Sequence, residues 1–367
     1  MDKILYITSN MNNQCGGAVV NRRNYSLLHD IYGNNLFIYE FEYVEYESKI
    51  VKWKNCLHGF YFGITNQHIR EVLEIIKQEG INIVFISNSL FGCFATEMKK
   101  RFPNIILLAF FHNVEYIYAQ EEYKAKKSIK GWLLSFLTYR FEKRMIKYVD
   151  RVIVLNNRDA RELVRIYHRI VDFVLPTSFE DRCGNIEYNK REKGEQLTLL
   201  FVGFNFFANV HGISWFVEQV MPYVKDVVLY VVGKNMELER EKLGRENVQV
   251  IGTVDSLDEY YKRADVIVSP IFLGSGMKTK TAEALMYGKP ILGTREAFEG
   301  YDLEVSKVGA LCNTADEFIK KIMEIQSDDS WIKQHGKYAR GIYEMQYSYK
   351  ISLDRLKSFM GEVKIKK

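Results

Sequence analysis

The chain has 367 residues, more than one ordinary hydrophobic core requires, so two domains are predicted. Hydrophobic residues make up 47% of the chain and charged residues 26%, proportions typical of a globular protein rather than a disordered or fibrous one. The formal net charge of +5 is too small to indicate nucleic-acid binding and suits an anionic small molecule or an acidic lipid surface.

The chain opens on "MDKILYITSN", a strand-like run without the long apolar stretch of a signal peptide. No apolar run approaches the roughly 20 residues that cross a bilayer. The 5 cysteines are odd in number, scattered and without a CxxC pair, which argues against disulfides and a zinc site. A cytoplasmic protein is therefore expected.

Short apolar runs alternate with helical patterns along the whole chain. The first half contains "KILYIT", "NLFIYEF", "NIVFIS", "IILLAFF" and "RVIVL", and the second contains "TLLFVGF", "VVLYVVG", "VQVIG", "VIVSPI" and "PILGT". Continuous apolar strands are typical of a parallel sheet covered by helices on both faces. The pattern predicts an α/β fold of two doubly wound, Rossmann-like domains, with ligands at the carboxyl ends of the strands.

A polar stretch divides the chain into nearly equal halves. We predict an N-terminal domain over residues 1–179, a linker over 180–196 and a second domain over 197–345. Residues 346–367 are amphipathic and predict a final helix that no strand follows.

Two places in the first half carry polar or glycine residues after a buried strand. Gly16 and Gly17 stand where a loop becomes a helix, so their backbone could approach a phosphate, or could simply form a turn. His112 and Asn113 follow "IILLAFF", where such folds place working residues. His112 could hydrogen-bond a sugar hydroxyl or stabilise developing charge. Alternatively, it could be a capping residue whose hydrogen bond is satisfied by the backbone.

The segment "GSGMKTKTAEALMYGKP", residues 274–290, follows the buried strand "VIVSP" and opens a helix near Met277. Amides at a helix start bind phosphate, and Lys278 or Lys280 can add positive charge. Lys280 and Glu283 are three residues apart and so share a helical face. The lysine could bind a diphosphate, and the glutamate could accept hydrogen bonds from the ribose hydroxyls. The alternative, an exposed Lys–Glu pair, fits less well with the apolar residues around it.

Several motifs are absent. The sequence has no Asp-x-Asp, so no metal bridge to a diphosphate is expected, and it has no GxSxG, HExxH, P-loop or GxGxxG. Phosphate charge would then be met by amides and basic side chains, with no metal and no cofactor beyond the nucleotide-sugar co-substrate.

The order of motifs resembles the retaining GT-B glycosyltransferases of the group 1 family (family 4), especially those of bacterial polysaccharide assembly. The resemblance covers nearly the whole chain. It is carried by "GGAVVNRR", "FHNVE", "YVDRVIVLNNRDARELV", "LLFVGFNFFANVHGISWF", "VQVIGTVDSLDEYYKRADVIVSPIFLGSGMKTKTAEALMYGKPILGT" and "EAFEGY". It implies the GT-B fold, with a cleft between the domains and the final helix crossing back onto the N-terminal domain.

The resemblance also implies roles for individual residues. Glu283 matches the second glutamate of the family's E-x7-E element and would hold the ribose, and Lys280 would neutralise the leaving diphosphate. His112 would face the donor sugar. The other implied donor contacts, made through backbone or side chain, are Gly16, Gly17, Val254, Asp255, Ser275, Gly276, Met277 and Lys278.

The sequence departs from the family pattern in two places. Ser275 stands where many members have the first glutamate. The segment "GFNFFANVHG" lacks the Arg and Lys that many members carry, although it is similar to a subset with "PNVDA"-like segments. More of the phosphate charge would then fall on Lys278 and Lys280.

These inferences predict a metal-independent glycosyltransferase that moves a sugar from a nucleotide-sugar to a lipid-linked or saccharide acceptor, in cell-surface polysaccharide synthesis such as capsule or O-antigen. A GT-B sugar-nucleotide epimerase and a non-catalytic nucleotide-sugar-binding subunit stay as alternatives. The segment 123–148, "YKAKKSIKGWLLSFLTYRFEKRMIKY", fits two interpretations. It is either a surface helix on the anionic inner face of the cell membrane or a core-facing helix with a solvated basic side.

Overall fold

The computed structural model describes residues 2–9, 11–12, 16–45, 48–61, 63–184, 186, 194–274 and 276–365. The chain forms two compact units, one of residues 1–176 with 353–367 and the other of residues 177–352. The predicted linker at 180–196 is described only in part, since residue 185 and residues 187–193 lie outside the described ranges.

The first unit is built on six parallel strands in the order β2-β1-β3-β4-β5-β6. Its strands are β1 Ile4–Ser9, β2 Leu36–Phe41, β3 Ile83–Ile86, β4 Ile106–Phe111, β5 Arg151–Val154 and β6 Phe173–Val174. Its helices are α1 Gly16–Tyr32, α2 Lys49–Leu57, α3 Asn66–Glu79, α4 Gly92–Arg101, α5 Glu115–Lys126, α6 Ile129–Tyr148 and α7 Asn157–Tyr167.

The second unit is also built on six parallel strands, here in the order β12-β11-β10-β7-β8-β9. Its strands are β7 Leu197–Val202, β8 Val227–Val232, β9 Val248–Gly252, β10 Val266–Ser269, β11 Ile291–Gly293 and β12 Gly309–Leu311. Its helices are α8 Phe207–Gln219, α9 Arg240–Leu243, α10 Asp258–Arg263, α11 Thr279–Met286, α12 Val305–Val308, α13 Ala315–Gln326 and α14 Asp329–Ile342.

The last helix, α15, runs over Tyr349–Ile365, and from Leu353 onward it belongs to the first unit. There the Phe359 ring stacks on Phe173 of β6 with centroids 4.6 Å apart. Arg355 donates a hydrogen bond of 3.1 Å to the carbonyl of Val174. These contacts fix the C-terminal part of α15 beside the edge strand of the first sheet.

Apolar side chains on both faces of the strands explain the architecture. Every residue of β1 and every residue of β8 is buried, as expected for strands with helices on both sides. The predicted α/β fold of two doubly wound sheets is confirmed. None of the described helices is long and apolar enough to cross a membrane.

Each sheet contains a point where the strand order reverses. In the first unit β2 and β3 lie on opposite sides of β1, and in the second β8 and β10 lie on opposite sides of β7. In doubly wound sheets, the crevice at the carboxyl ends of the strands beside such a point is the usual place for a ligand.

Candidate functional site

Two helices meet at the reversal point of the second unit: α8 follows β7 and α11 follows β10. Gly212 of α8 allows the close approach, since a Cβ there would lie only 2.0 Å from the carbonyl oxygen of Pro270, just after β10. A side chain at residue 212 would push the two segments apart, so glycine is required by the packing.

Lys280 lies in the first turn of α11 and only 7% of its surface is exposed. Its Nζ donates a hydrogen bond of 2.8 Å to Oδ1 of Asn209 on α8 and lies 4.4 Å from the centre of the Phe201 ring. Burial, followed by the positive charge of Lys278, lowers the pKa of the Lys280 ammonium to about 7. Lys280 is therefore a desolvated cation held by two neutral groups.

Lys278 is also partly buried but is held by a carboxylate. Its Nζ lies 2.6 Å from Oε1 of Glu296 and donates to the Gly276 carbonyl at 2.9 Å. Lys278 itself has an extended conformation, so α11 begins at Thr279, two residues later than the sequence predicts. A bound anion would have to compete with Glu296 for Lys278. The groups that contact Lys280 are neutral and would not compete with an anion.

The loop before α11 depends on glycine. Gly274 and Gly276 have φ of 122° and 72°, in the left-handed region that favours glycine. Met277 is half-buried against an apolar cluster of the second unit. Ser275, the predicted replacement for a glutamate, lies outside the described residues.

Glu283 lies one turn further along α11 than Lys280, with 12% of its side chain exposed. Its carboxylate accepts hydrogen bonds from Nη2 of Arg182 at 3.4 Å and from the Tyr261 hydroxyl at 3.3 Å. Burial raises the pKa of the Glu283 carboxyl, and the charge of Arg182 opposes that shift. The interpretation of Lys280 and Glu283 as an exposed surface pair does not hold, because both are buried and each has its own partners.

Val254 and Asp255 follow β9, at the same carboxyl edge of the sheet. Val254 is half-buried against the apolar cluster that also contacts Met277, and Asp255 is exposed. The order of the strands places β9 two positions from β7, so this loop lies beyond the reversal point rather than at it.

In the first unit the predicted residues Gly17 and His112 are neighbours. Gly16 and Gly17 are exposed and begin α1, and a Cβ at residue 17 would lie 3.7 Å from Nδ1 of His112. His112 Nε2 lies 3.1 Å from the Ser87 carbonyl oxygen, which can only accept, so Nε2 carries the proton and Nδ1 can accept a hydrogen bond.

The surroundings of His112 keep it neutral. Burial lowers the pKa of the imidazole to about 4, although the hydrogen bond to Ser87 acts in the opposite direction. The Ser87 hydroxyl in turn donates to Oδ1 of Asn21 at 2.8 Å. The capping interpretation of His112 is therefore correct for Nε2, and Nδ1 remains turned towards Gly17.

Two residues that contact the predicted site were missed from the sequence. Asn209 holds Lys280, and its only signal was the similarity of "ANVHG" to "PNVDA"-like segments. Arg182 contacts Glu283 and was assigned to the linker because its surroundings in the sequence are polar.

Among the described residues, no group of three or more His, Cys, Asp or Glu side chains is placed to hold a metal ion. The predicted residues fall into two sets, each within one unit. The first unit holds Gly16, Gly17 and His112, and the second holds Val254, Asp255, Gly276, Met277, Lys278, Lys280 and Glu283.

The whole chain is similar in fold to solved GT-B structures. Sucrose-phosphate synthase from Thermosynechococcus elongatus superposes with a TM-score of 0.75 at 15% identity, covering 100% of both chains. HepE from Anabaena, in complex with UDP, superposes with a TM-score of 0.71 at 11% identity, covering 98% of this chain and 100% of HepE. WaaG, a glycosyltransferase involved in lipopolysaccharide biosynthesis, gives 0.67 at 15% identity over 98% of this chain and 100% of WaaG. The fold is therefore GT-B, as predicted.

The family match lies in the second unit. Residues 196–328 match the family model described as glycosyl transferases group 1. This segment contains β7 to α13, and with it Asn209, Lys280 and Glu283. This part of the chain is therefore similar to group 1 glycosyltransferases, and the predicted resemblance is confirmed. No curated protein matches the sequence.

Proposed function

We propose that the protein is a glycosyltransferase that moves a sugar from a nucleotide-sugar to a lipid-linked or saccharide acceptor. We further propose that it retains the anomeric configuration, needs no metal and acts in cell-surface polysaccharide synthesis. The observation that carries the proposal is the buried pair on α11, Lys280 and Glu283, at the reversal point of a group 1 glycosyltransferase domain.

The chemistry of the pair suits a nucleoside diphosphate. Lys280 contacts an amide oxygen and an aromatic ring, so a diphosphate at its ammonium would add a direct anionic contact and would raise its lowered pKa. Glu283 offers carboxylate oxygens that can accept hydrogen bonds from two ribose hydroxyls. The solved structures of HepE with UDP and with UDP-glucose show that a GT-B protein binds such ligands.

In the transfer step the acceptor hydroxyl oxygen forms a bond to the anomeric carbon of the donor. The bond from that carbon to the diphosphate breaks, its electron pair goes to the diphosphate, and the hydroxyl proton passes to a phosphate oxygen or to water. Lys280 and the amides at the start of α11 would stabilise the charge that builds up on the leaving group. Neutral His112, with Nδ1 as an acceptor, suits a sugar hydroxyl.

The acceptor side of the proposal rests on α6. This helix buries Leu137, Phe141 and Met145 in the first unit, as the core-facing interpretation requires. Its N-terminal part also exposes three large apolar side chains, Ile129 (87%), Trp132 (54%) and Phe136 (44%), spaced three and four residues apart on one face. The Trp132 and Phe136 rings stack 6.0 Å apart.

Basic side chains flank this apolar stripe, among them exposed Lys130 and Arg140, whose guanidinium lies 5.8 Å from the centre of the Phe136 ring. An apolar stripe with flanking cations is typical of helices that lie in the interface of an anionic membrane. We therefore propose that α6 contacts the inner face of the cell membrane and presents the enzyme to a lipid-linked acceptor.

Ligand binding tests the donor half of the proposal. A thermal-shift screen over UDP-, GDP-, ADP- and TDP-sugars should show a rise in melting temperature for at least one donor, because ligands that bind the folded state stabilise it. Transfer of the labelled sugar from that donor to a membrane extract should follow and should persist in EDTA. A screen in which no nucleotide-sugar binds would contradict the proposal.

Vesicle co-sedimentation tests the membrane half. The wild-type protein should sediment with phosphatidylglycerol vesicles and much less with phosphatidylcholine vesicles. Replacing Trp132 and Phe136 with Ser should reduce the vesicle partition coefficient by about two orders of magnitude or more, since each buried aromatic ring contributes about 1.5–3 kcal/mol. Tyr223→Ser, at a residue 63% exposed in the second unit, is the control that should leave binding unchanged. Equal binding to both vesicle types would overturn this part.

A further inference from the structure

Glu283 is a buried carboxylate whose ion-pair partner comes from far away in the chain. Arg182 approaches it at 3.4 Å, and the same guanidinium lies 3.6 Å from Oδ1 of Asp258 on α10. The side chain of Arg182 is 43% exposed, so the ion pair lies at the boundary between Glu283 and solvent.

Arg182 is held in place by the residues that precede it. Asp181 forms an ion pair with Arg340 on α14, with one Nη1–Oδ1 distance of 3.0 Å and a second contact through Nη2. The Phe179 carbonyl accepts a hydrogen bond of 2.9 Å from the Tyr343 hydroxyl. These contacts anchor the segment at the start of the second unit, so that the Arg182 side chain lies against α11.

The groups around Glu283 differ in what they do for its charge. Burial disfavours the carboxylate, while Arg182, the hydrogen bond from Tyr261 and, more weakly, Lys280 stabilise it. Tyr261 stacks on Tyr287 with centroids 4.6 Å apart, and Tyr287 donates a hydrogen bond of 2.5 Å to Asp258. The charged or titratable groups that interact with Glu283 are Arg182, Tyr261, Lys280 and Tyr301, and those that interact with its partner Arg182 are Asp258 and Tyr287.

An ionised carboxylate is the better acceptor for two ribose hydroxyl hydrogen bonds. A protonated carboxyl carries its own O–H and loses part of its acceptor capacity, and burial favours that protonated form. The charge of Arg182 is the largest of the effects that oppose burial, and the hydrogen bond from Tyr261 adds to it. Among the described residues, Arg182 is also the charged side chain in direct contact with the carboxylate.

We propose that Arg182 is a positioning residue for donor binding: it keeps Glu283 ionised and aligned so that the carboxylate can accept hydrogen bonds from the nucleotide ribose. The inference rests on the proposed function, in which Glu283 holds that ribose. The segment before the second sheet thus has a role in donor affinity. Neither the sequence nor the family match, which begins at residue 196, indicates that role.

The test compares Arg182→Gln, Arg182→Lys, Glu283→Gln and a control, Arg263→Gln, an exposed arginine of the second unit whose guanidinium stacks on Tyr230. Binding of UDP, GDP and ADP is measured by calorimetry from about pH 6 to about pH 8, within the range that ordinary side chains tolerate. Melting temperatures without ligand show that each variant is folded.

For the nucleotide that binds, Arg182→Gln should raise Kd about tenfold at the acid end, because the carboxyl of Glu283 is then protonated more readily. The ratio of the variant's Kd to the wild-type Kd should fall as the pH rises, because Glu283 then ionises even without Arg182. Using this ratio removes the pH dependence that Lys280 gives to binding in both proteins. Arg182→Lys should restore most of the affinity, and Arg263→Gln should bind like the wild type.

The 2′,3′-dideoxynucleotide separates positioning from a merely structural effect. It lacks the hydroxyls that Glu283 would bind, so its Kd should not change in Arg182→Gln. Wild-type affinity of Arg182→Gln for the normal nucleotide across the pH range, together with weak binding by Glu283→Gln, would overturn the role of Arg182 alone. Unchanged binding in Glu283→Gln would instead contradict the donor site of the proposed function.

Discussion

The carboxyl edges of the two sheets differ in the charge of their predicted site residues. At the reversal point of the second unit the side chains are charged: Lys280 contacts neutral groups, and Glu283 forms an ion pair with Arg182. At the carboxyl edge of the first sheet His112 is neutral: its pKa is lowered to about 4 and it is bonded to Ser87.

This difference shows how one fold can serve two kinds of ligand chemistry. A diphosphate requires a cation, and a desolvated lysine interacts with it more strongly than a solvated one. A sugar or acceptor hydroxyl requires a neutral acceptor or donor, which a buried imidazole supplies. Ligand binding should therefore depend on charged side chains at the second edge and on a neutral imidazole at the first.

The largest effect is expected at Lys280. Lys280→Ala should reduce kcat about 10²–10³-fold, the usual cost of removing one preorganised group that stabilises developing charge. Its melting temperature without ligand shows whether the variant is folded. Lys320→Ala, at an exposed lysine of α13, is the matched control. A variant at Lys280 that turns over at the wild-type rate would remove the distinction between the two edges.

The next-largest effect is expected when His112 is protonated in acid. Its pKa is about 4 in the folded chain and about 6.5 when unfolded, so the unfolded state binds the proton first as the pH falls. The stability associated with neutral His112 is complete above about pH 6.5 and decreases down to about pH 4, by up to about 3 kcal/mol.

Denaturation curves of the wild type and of His112→Gln over this pH range would measure that contribution. Glutamine can still donate to the Ser87 carbonyl but does not titrate, so the variant should lose less stability in acid. Parallel loss in both proteins would show that His112 is not the neutral group described here.

Gly212 tests the packing beneath the charged edge. Gly212→Ala should lower the free energy of unfolding by about 1–3 kcal/mol, since its Cβ would collide with the Pro270 carbonyl oxygen and force a backbone shift. Gly341→Ala is the control, because no atom lies within 4 Å of the added Cβ and alanine favours the helix by about 0.5–1 kcal/mol. Urea denaturation measures the free energy of unfolding of both variants, and equal stabilities would contradict the prediction.

The smallest effect is expected at Asn209. Asn209→Ala removes the amide oxygen that accepts from Lys280 and should lower kcat/KM about tenfold, the value of one charge-assisted hydrogen bond. Asn205→Ala changes an asparagine just before α8, which donates to the Asn235 carbonyl instead. The two variants should therefore differ in steady-state kinetics, and identical kinetics would mean that Asn209 does not orient Lys280.

Much of the fold could be predicted from hydrophobic patterns. All ten apolar runs are strands of the two sheets, because a strand buried on both faces leaves a continuous apolar signal. The strands not predicted, β6 and β12, have two and three residues and are only partly buried. Strands this short contribute too little apolar sequence to stand out.

The site was less accessible from the sequence. The spacing of Lys280 and Glu283 placed them on one face of a helix, but it could not show that both are buried or which groups hold them. Those partners, Asn209 and Arg182, lie 71 and 101 residues away along the chain. Such contacts depend on how helices and loops pack at the sheet edge, and no local pattern encodes them.

The near-neutral pKa of Lys280 has a consequence for thermodynamics. Around neutral pH a fraction of the molecules lacks the ammonium proton, and a bound polyanion would favour the protonated form. Nucleotide recruitment would then draw hydrogen ions from the medium, so the heat of association should vary with the ionisation enthalpy of the buffer, and affinity should weaken in alkaline solution.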